Sequence, residues 1–264
     1  MTDGTRERFV PCGNDRFGFQ ERGGVKRHSL LQAIVPRVKV RMSPSIKIIG
    51  CAVMLDEMRS FLPPGADVQV FGMSRHARPK QLKLDLQEAV SDADGTYDVI
   101  LLGYGLCSNA VVGLRACHSR LVIPKRHDCI GVLLSSHEAY AAEMHTEPAF
   151  FLTRGYIRGY REDLSGPADE FDRVAAHHGT ERAEAIVGKM MRPYTRLVYL
   201  QTSESNDAEA DRQYAFEMAA RFQLRYEERP GSPELLRQMA NGQWGREFVV
   251  VEPGDEVTLE RFLN

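Results

Sequence analysis

Short apolar runs alternate along the chain with stretches whose apolar residues recur every three or four positions. The runs begin at Ile46 and are rich in Val, Ile and Leu, as is typical of strands in a parallel sheet covered on both faces. The intervening stretches have the spacing of amphipathic helices, one of them with Leu82, Leu86 and Val90 at intervals of four. This alternation predicts an α/β fold, doubly wound, with mostly parallel sheets in two Rossmann-like portions.

The pattern changes at two places along the chain. Residues 1–41 are basic and lack periodic apolar positions, which predicts either a disordered extension or a stretch upstream of a natural start at Met42. A first α/β portion, residues 42–155, is predicted to close on the strand AFFLT, Ala149–Thr153. A link rich in charge and glycine leads to a second α/β portion, residues 156–264, whose last strand is EFVVVEPG.

The charge balance argues against a dedicated nucleic-acid-binding protein. Lys and Arg number 34 against 36 Asp and Glu, a net charge of −2, whereas such proteins are strongly basic. No apolar run approaches the roughly 18–20 residues of a membrane span, and the start of the chain does not resemble a signal peptide. We therefore expect a cytoplasmic protein that acts on a small-molecule substrate, without nucleic-acid or membrane partners.

Three of the five cysteines follow apolar strands. Cys51, Cys107 and Cys129 each open a stretch with helical spacing, whereas Cys12 lies in the basic segment and Cys117 within a predicted helix. Open α/β sheets build their sites at the carboxyl ends of strands, so the three strand-end cysteines are expected to converge. A helix start favours the thiolate, and three adjacent thiolates require a cation to neutralise them. The pattern predicts one metal centre with these three ligands.

The segment HDC places two further polar residues directly before Cys129. His127 is a candidate acid, base or fourth metal ligand, since imidazole serves in all three roles. Asp128 is either a carboxylate that orients His127 or the N-cap of the next helix. Both residues are candidate catalytic groups.

The segment LLGYGLCSN and the start of the link supply candidate cofactor-binding residues. Gly103 and Gly105 predict either a tight loop that approaches a ligand or a turn that needs positive φ, although their spacing is not the dinucleotide fingerprint. Ser108 and Asn109 are predicted to cap a helix beside the cysteine. Arg154 is a candidate for binding an anionic group, or else a solvated surface residue.

Several segments together resemble one known family, the uncharacterised bacterial and archaeal domain of unknown function 1638. They are GCAV, LLGYGLCSN, HDCIGVLLSS, FFLTRGY, YTRLVYLQT and GSPELLRQMANGQW, which span roughly Ile46–Val257. The family pattern carries counterparts of Cys51, Cys107, Cys129 and His127, and often a glycine in place of Ser108. The family name supplies no activity. The resemblance implies partners associated with corrinoid-dependent methyltransferases, and hence one-carbon metabolism.

Two cofactors fit three cysteine ligands with one open position. Zinc would activate a thiol or water there, and a 4Fe–4S cluster would leave one iron as a Lewis acid. Ligands from three separate loops, without a nearby acid pair, favour the cluster slightly. A non-catalytic accessory or sensor protein is the second hypothesis. The third is a thiol enzyme with Cys129 as nucleophile, which would leave Cys51 and Cys107 without a role.

Overall fold

Eight strands form two separate sheets in the computed structural model, which describes residues 44–62, 64–134, 136–163, 166–202 and 207–263. The strands are β1 (Ile46–Cys51), β2 (Asp67–Phe71), β3 (Val99–Gly103), β4 (Arg120–Pro124), β5 (Ala149–Thr153), β6 (Arg196–Gln201), β7 (Arg225–Pro230) and β8 (Phe248–Val251). The first sheet has the order β2-β1-β3-β4-β8 and is parallel except for β8. The second has the order β5-β6-β7 and is parallel throughout. The prediction of a mostly parallel α/β fold is confirmed.

Helices follow most of the strands. They are α1 (Ala52–Met58), α2 (Pro79–Ala93), α3 (Cys129–Leu133), α4 (His137–Met144), α5 (Arg154–Asp163), α6 (Pro167–His178), α7 (Thr180–Ala183), α8 (Lys189–Met191), α9 (Ala208–Arg221), α10 (Glu234–Ala240) and α11 (Glu260–Leu263). A 3₁₀ segment, Met73–Ala77, follows β2, and a π-helical segment, Glu184–Gly188, joins α7 to α8. None of the described helices is long and apolar enough to cross a membrane.

The main hydrophobic core surrounds the first sheet. Every residue of β3 is buried, as expected for a central strand covered on both faces. The buried face of α2 includes Leu82, Leu86 and Val90, each with 0 % exposure, so the predicted spacing of four marks its contact with the core. Val198 and Leu200 of β6 belong to the same cluster, which joins the second sheet to this core.

Two strands pair differently from the prediction. β5 was expected to close the first portion, but it pairs with β6, with Phe151 opposite Val198. β8 was expected in the second portion, but it lies antiparallel to β4, with Val122 opposite Val250. A boundary between residues 155 and 156 therefore does not separate the two sheets. The apolar runs indicate where strands form, but they do not indicate which strands pair with each other.

The segment predicted as a link is helical. It forms α5 and the start of α6, and Ile157 of α5 is fully buried. Its glycines lower intrinsic helix propensity, but two of them lie where another part of the chain approaches closely. A Cβ on Gly155 would lie 2.7 Å from the carbonyl oxygen of Val53, and one on Gly159 would lie 2.5 Å from the sulfur of Met73. The predictions for residues 1–41, including Cys12, lie outside the described residues.

Candidate thiol site

The carboxyl ends of three neighbouring strands each carry a cysteine. Cys51 is the last residue of β1, Cys107 follows β3 after a short loop, and Cys129 is the first residue of α3, after β4. Because β1, β3 and β4 are adjacent in the sheet, the cysteines approach the same edge. All three are free thiols; Cys51 and Cys129 are buried, and Cys107 is partly exposed.

Two of the cysteine-bearing loops are joined backbone to backbone. The N–H of Leu106 donates to the carbonyl of Arg126 at 2.9 Å, and the N–H of Cys107 donates to the backbone carbonyl of His127 at 3.0 Å. Gly105 makes this approach possible, because a Cβ there would lie 2.8 Å from both the Arg126 oxygen and the Asp128 nitrogen. The loops after β3 and β4 are thus held against each other, and each places one thiol beside the sheet.

Burial keeps the three thiols protonated. It raises the pKa of Cys51 to about 11, although the nearby N–H groups of Met54 and Val53 lower it. It also raises the pKa of Cys107 and of Cys129, and negative charge on Cys51 would raise both further. Charge on Cys107 has the same effect on Cys129. Charge on one of these thiols would therefore oppose the ionisation of the others, and their joint ionisation would require a cation.

The backbone around Cys107 is left-handed, contrary to the predicted helix. Cys107, Ser108 and Asn109 have φ of 44°, 58° and 65°, and residues 104–119 contain no helix. Left-handed conformations cost an L-residue roughly 1–2 kcal/mol each, so this turn is strained. Such strain persists where surrounding contacts enforce it, and it is concentrated at functional sites. Here the contacts include the hydrogen bond from the Cys107 N–H to the backbone carbonyl of His127.

A cavity of about 250 Å³ lies beside two of the thiols. Its lining residues are Cys51, Val53, Met73, Ser74, His76, Cys129, Tyr156 and Tyr160. The 3₁₀ segment after β2 contributes three of them, so a fourth strand end joins the site. Its His76 stacks on Tyr104 with ring centroids 6.0 Å apart, and burial lowers the His76 pKa, which favours the neutral imidazole. The volume is slightly below the usual range for drug-sized ligands and therefore suits a small molecule.

His76, Met73 and Tyr160 were missed by the sequence reasoning. His76 and Met73 follow a strand end, as the cysteines do, but they lie in a 3₁₀ segment without helical periodicity. Tyr160 lies in the segment interpreted as a link. The spacing of four between Tyr156 and Tyr160 was the available signal, because it places both rings on one face of a helix.

Neither His127 nor Asp128 lines the cavity. His127 is exposed and stacks on Tyr140, with ring centroids 5.8 Å apart. Asp128 is the N-cap of α3: it accepts from the Gly131 N–H at 2.8 Å and from the Tyr140 hydroxyl at 2.8 Å. Of the two roles predicted for Asp128, the structure supports the cap.

The capping role predicts unequal effects for two substitutions. Asp128→Ala should lower the free energy of unfolding by about 0.5–2 kcal/mol, because the Gly131 N–H loses its acceptor. Asp128→Asn should cost much less, since asparagine caps helices about as well as aspartate. Urea unfolding of both variants measures this. An Asn variant as unstable as the Ala variant would show that the cap does not account for the loss.

The predicted cofactor-binding residues do not gather around the cavity. Gly103 lies within β3, where a Cβ would make only ordinary contacts, and Gly105 serves the approach of two loops. Neither has positive φ. Ser108 and Asn109 are exposed and cap no helix. Arg154 lies in an ion pair, its Nε 3.7 Å from Asp56 Oδ2, so anion binding by Arg154 stays a prediction.

Across the described residues, no group of three or more His, Cys, Asp or Glu side chains already stands in a metal-holding arrangement. The three thiols are neighbours, but their sulfurs are not preset for one ion. A single torsion orients each cysteine sulfur, so rotation of a side chain changes the position of its sulfur. The donor set suits a soft cation, since thiolates favour zinc and iron–sulfur clusters.

A model of one protein family, described as Protein of unknown function (DUF1638), matches residues 71–240. The match covers more than half of the chain and includes Cys107 and Cys129. The chain belongs to this family. The DUF1638 match begins after β1, so Cys51 lies outside it although the fold brings that residue to the other two cysteines. Comparisons with curated proteins and with solved structures gave no match.

Proposed function

We propose that Cys51, Cys107 and Cys129 bind one metal centre, zinc or a 4Fe–4S cluster, beside a cavity for a small molecule. The observation that carries this proposal is the placement of three free thiols at the carboxyl ends of three adjacent parallel strands. Burial makes any one thiolate unfavourable, and a bound cation would reverse that balance for all three. When bound, the metal would supply a Lewis acid at the position that the protein leaves open.

The chain's own residues suggest how a ligand at the open position would be held. The cavity walls combine the Val53 and Met73 side chains with the phenol rings of Tyr156 and Tyr160, and His76 presents a neutral imidazole. No hydrogen bond to His76 is present among the described residues. In this proposal His76, rather than His127, faces the ligand. A role in one-carbon chemistry rests on family resemblance alone.

The thiol-nucleophile alternative is less favoured by the same geometry. A nucleophilic cysteine needs a depressed pKa or an adjacent base. Burial raises the pKa of Cys129, and its sulfur contacts the hydroxyl of Tyr156 rather than an imidazole. A metal centre without turnover would make the protein an accessory or sensor, which remains the second candidate.

Metal loading of single variants tests the proposal. Anaerobically prepared protein should hold one centre per chain, as zinc or as iron with sulfide. Cys51→Ser, Cys107→Ser and Cys129→Ser should each lose most of it, because two thiolates do not complete the site. Ser74→Ala is the matched control, since it alters the same cavity without removing a thiol. Metal analysis with circular dichroism separates lost ligands from lost fold.

Two results would reject the metal centre. One is wild-type metal content in all three folded cysteine variants, which would place the metal elsewhere. The other is the absence of zinc and of iron from wild-type protein that has been offered both under anaerobic conditions.

A further inference from the structure

Two tyrosines on one face of α5 border the cavity but differ in a single contact. The hydroxyl of Tyr156 lies 2.9 Å from the sulfur of Cys129. Tyr160, one turn further along, lines the same cavity, and no hydrogen bond joins its hydroxyl to a sulfur in the described part of the chain. The two rings are 6.0 Å apart and tilted by 51°. One tyrosine therefore contacts a thiol, and its neighbour provides a comparison of equal size.

The backbone beneath Tyr156 is fixed in place. Its predecessor, Gly155, lies against α1 so closely that a Cβ would be 2.7 Å from the Val53 oxygen and 2.9 Å from the Val53 Cα. Asp56, whose side chain is 5 % exposed, forms an ion pair with Arg158 and lies near Arg154 on the same helix. These contacts hold α5 against the helix that follows Cys51 and so keep the backbone of Tyr156 near the Cys129 sulfur.

A hydrogen bond from the Tyr156 hydroxyl can favour one side-chain rotamer of Cys129 over the others. The χ1 torsion of a cysteine has three staggered positions, and each directs the sulfur differently. A hydrogen bond of ordinary strength shifts such a population by about two- to tenfold. The Tyr156 hydroxyl can thus keep the Cys129 sulfur in one direction, beside the cavity that Cys51 also lines.

We propose that Tyr156 is a positioning residue that orients the Cys129 sulfur beside the cavity and donates a hydrogen bond to it when the three cysteines hold a metal. The hydrogen bond to a metal-bound sulfur rests on the proposed metal centre. The orientation of the Cys129 sulfur does not. Hydrogen-bond partners of metal ligands typically change metal affinity by about 10- to 100-fold when they are removed.

Tyr156→Phe and Tyr160→Phe test this role as a matched pair, because each removes one hydroxyl and keeps the ring. In metal-free, reduced protein, infrared spectroscopy of the S–H stretch reports the hydrogen bonding of each thiol, and Cys129→Ser identifies the Cys129 band. Tyr156→Phe should shift that band, and Tyr160→Phe should not. Chelator competition with zinc should show about tenfold weaker binding for Tyr156→Phe alone.

The outcomes separate the two proposals. Equal behaviour of the two variants in both measurements would overturn the positioning role, while wild-type metal binding would still support the metal centre. A band shift confined to Tyr156→Phe in a protein that binds no metal would support the orienting contact and reject the centre, together with the hydrogen bond proposed for it.

Discussion

Gly105→Ala is expected to destabilise the protein by about 1–3 kcal/mol and to separate two of the three thiols. The added Cβ would lie 2.8–2.9 Å from backbone atoms of Arg126 and Asp128, and backbone cannot move aside as a flexible side chain does. The loops after β3 and β4 must then part, which breaks the hydrogen bond from Cys107 to His127. Urea unfolding gives the loss of stability, and metal content gives the loss of the site.

Gly245→Ala is the control for this substitution. Nothing lies within 4 Å of the Cβ that it would add, so the variant should match wild type in both measurements. If Gly105→Ala kept wild-type stability and metal content, the close approach of the two loops would not be what positions Cys107.

Arg196→Ala is expected to cost about 1–3 kcal/mol, because the carbonyl oxygens of Glu143 and Glu147 lose a buried donor. The carboxylates of Glu143 and Glu227 keep Arg229 as a partner. The Arg196 side chain is 2 % exposed and pairs with Glu143 at 2.8 Å and Glu227 at 3.3 Å. Its Nε also donates to the Glu147 carbonyl at 3.0 Å. The residue thereby joins α4 to β6 and β7, and its loss should weaken the second sheet.

Arg225→Ala provides the comparison at the same end of that sheet. Arg225 pairs with Glu147 and Glu227, but its side chain is 58 % exposed, so the substitution should cost no more than about 1 kcal/mol. Thermal or urea unfolding of both variants measures the difference. Similar losses for the two would mean that burial does not set the strength of these pairs.

Strand positions could be predicted from the sequence, whereas strand partners could not. The apolar runs beginning at Ile46, Val99 and Leu197 all form strands, because burial on both faces leaves a continuous apolar signal. The pairing of β8 with β4 joins residues more than 120 positions apart, with Leu121 opposite Val251. A short apolar run does not specify the strand with which it pairs. The predicted division between residues 155 and 156 therefore does not follow the two sheets.

Local sequence signals gave a wrong prediction at two places, once by helical periodicity and once by glycine content. After Cys107, the apolar residues Val111 and Leu114 are buried, but they are presented by turns rather than by a helix. In α5 the glycine content predicted a link, but the segment is a helix whose tyrosines line the cavity. At both places tertiary contacts override local propensity, since close backbone approach to Gly105 and to Gly155 decides the conformation.

The candidate site could be predicted in part. The positions of the three cysteines at strand ends follow from the strand pattern, and the structure brings those ends together. His76 and Tyr160 could not be placed, because their role depends on where the segments after β2 and β5 cross the edge of the sheet. His127 was predicted as a site residue because it is close to Cys129 in sequence. Its side chain is exposed and stacks on Tyr140.

The fine structure above the X-ray absorption edge of the bound metal tests most directly whether the three cysteines hold one metal centre. In zinc-loaded protein the proposal predicts three sulfur neighbours per metal at about 2.3 Å, the usual zinc–thiolate distance. The triple variant with serine at Cys51, Cys107 and Cys129 should retain no such shell. A metal surrounded only by nitrogen and oxygen, or an unchanged sulfur shell in the triple variant, would contradict a centre held by these three cysteines.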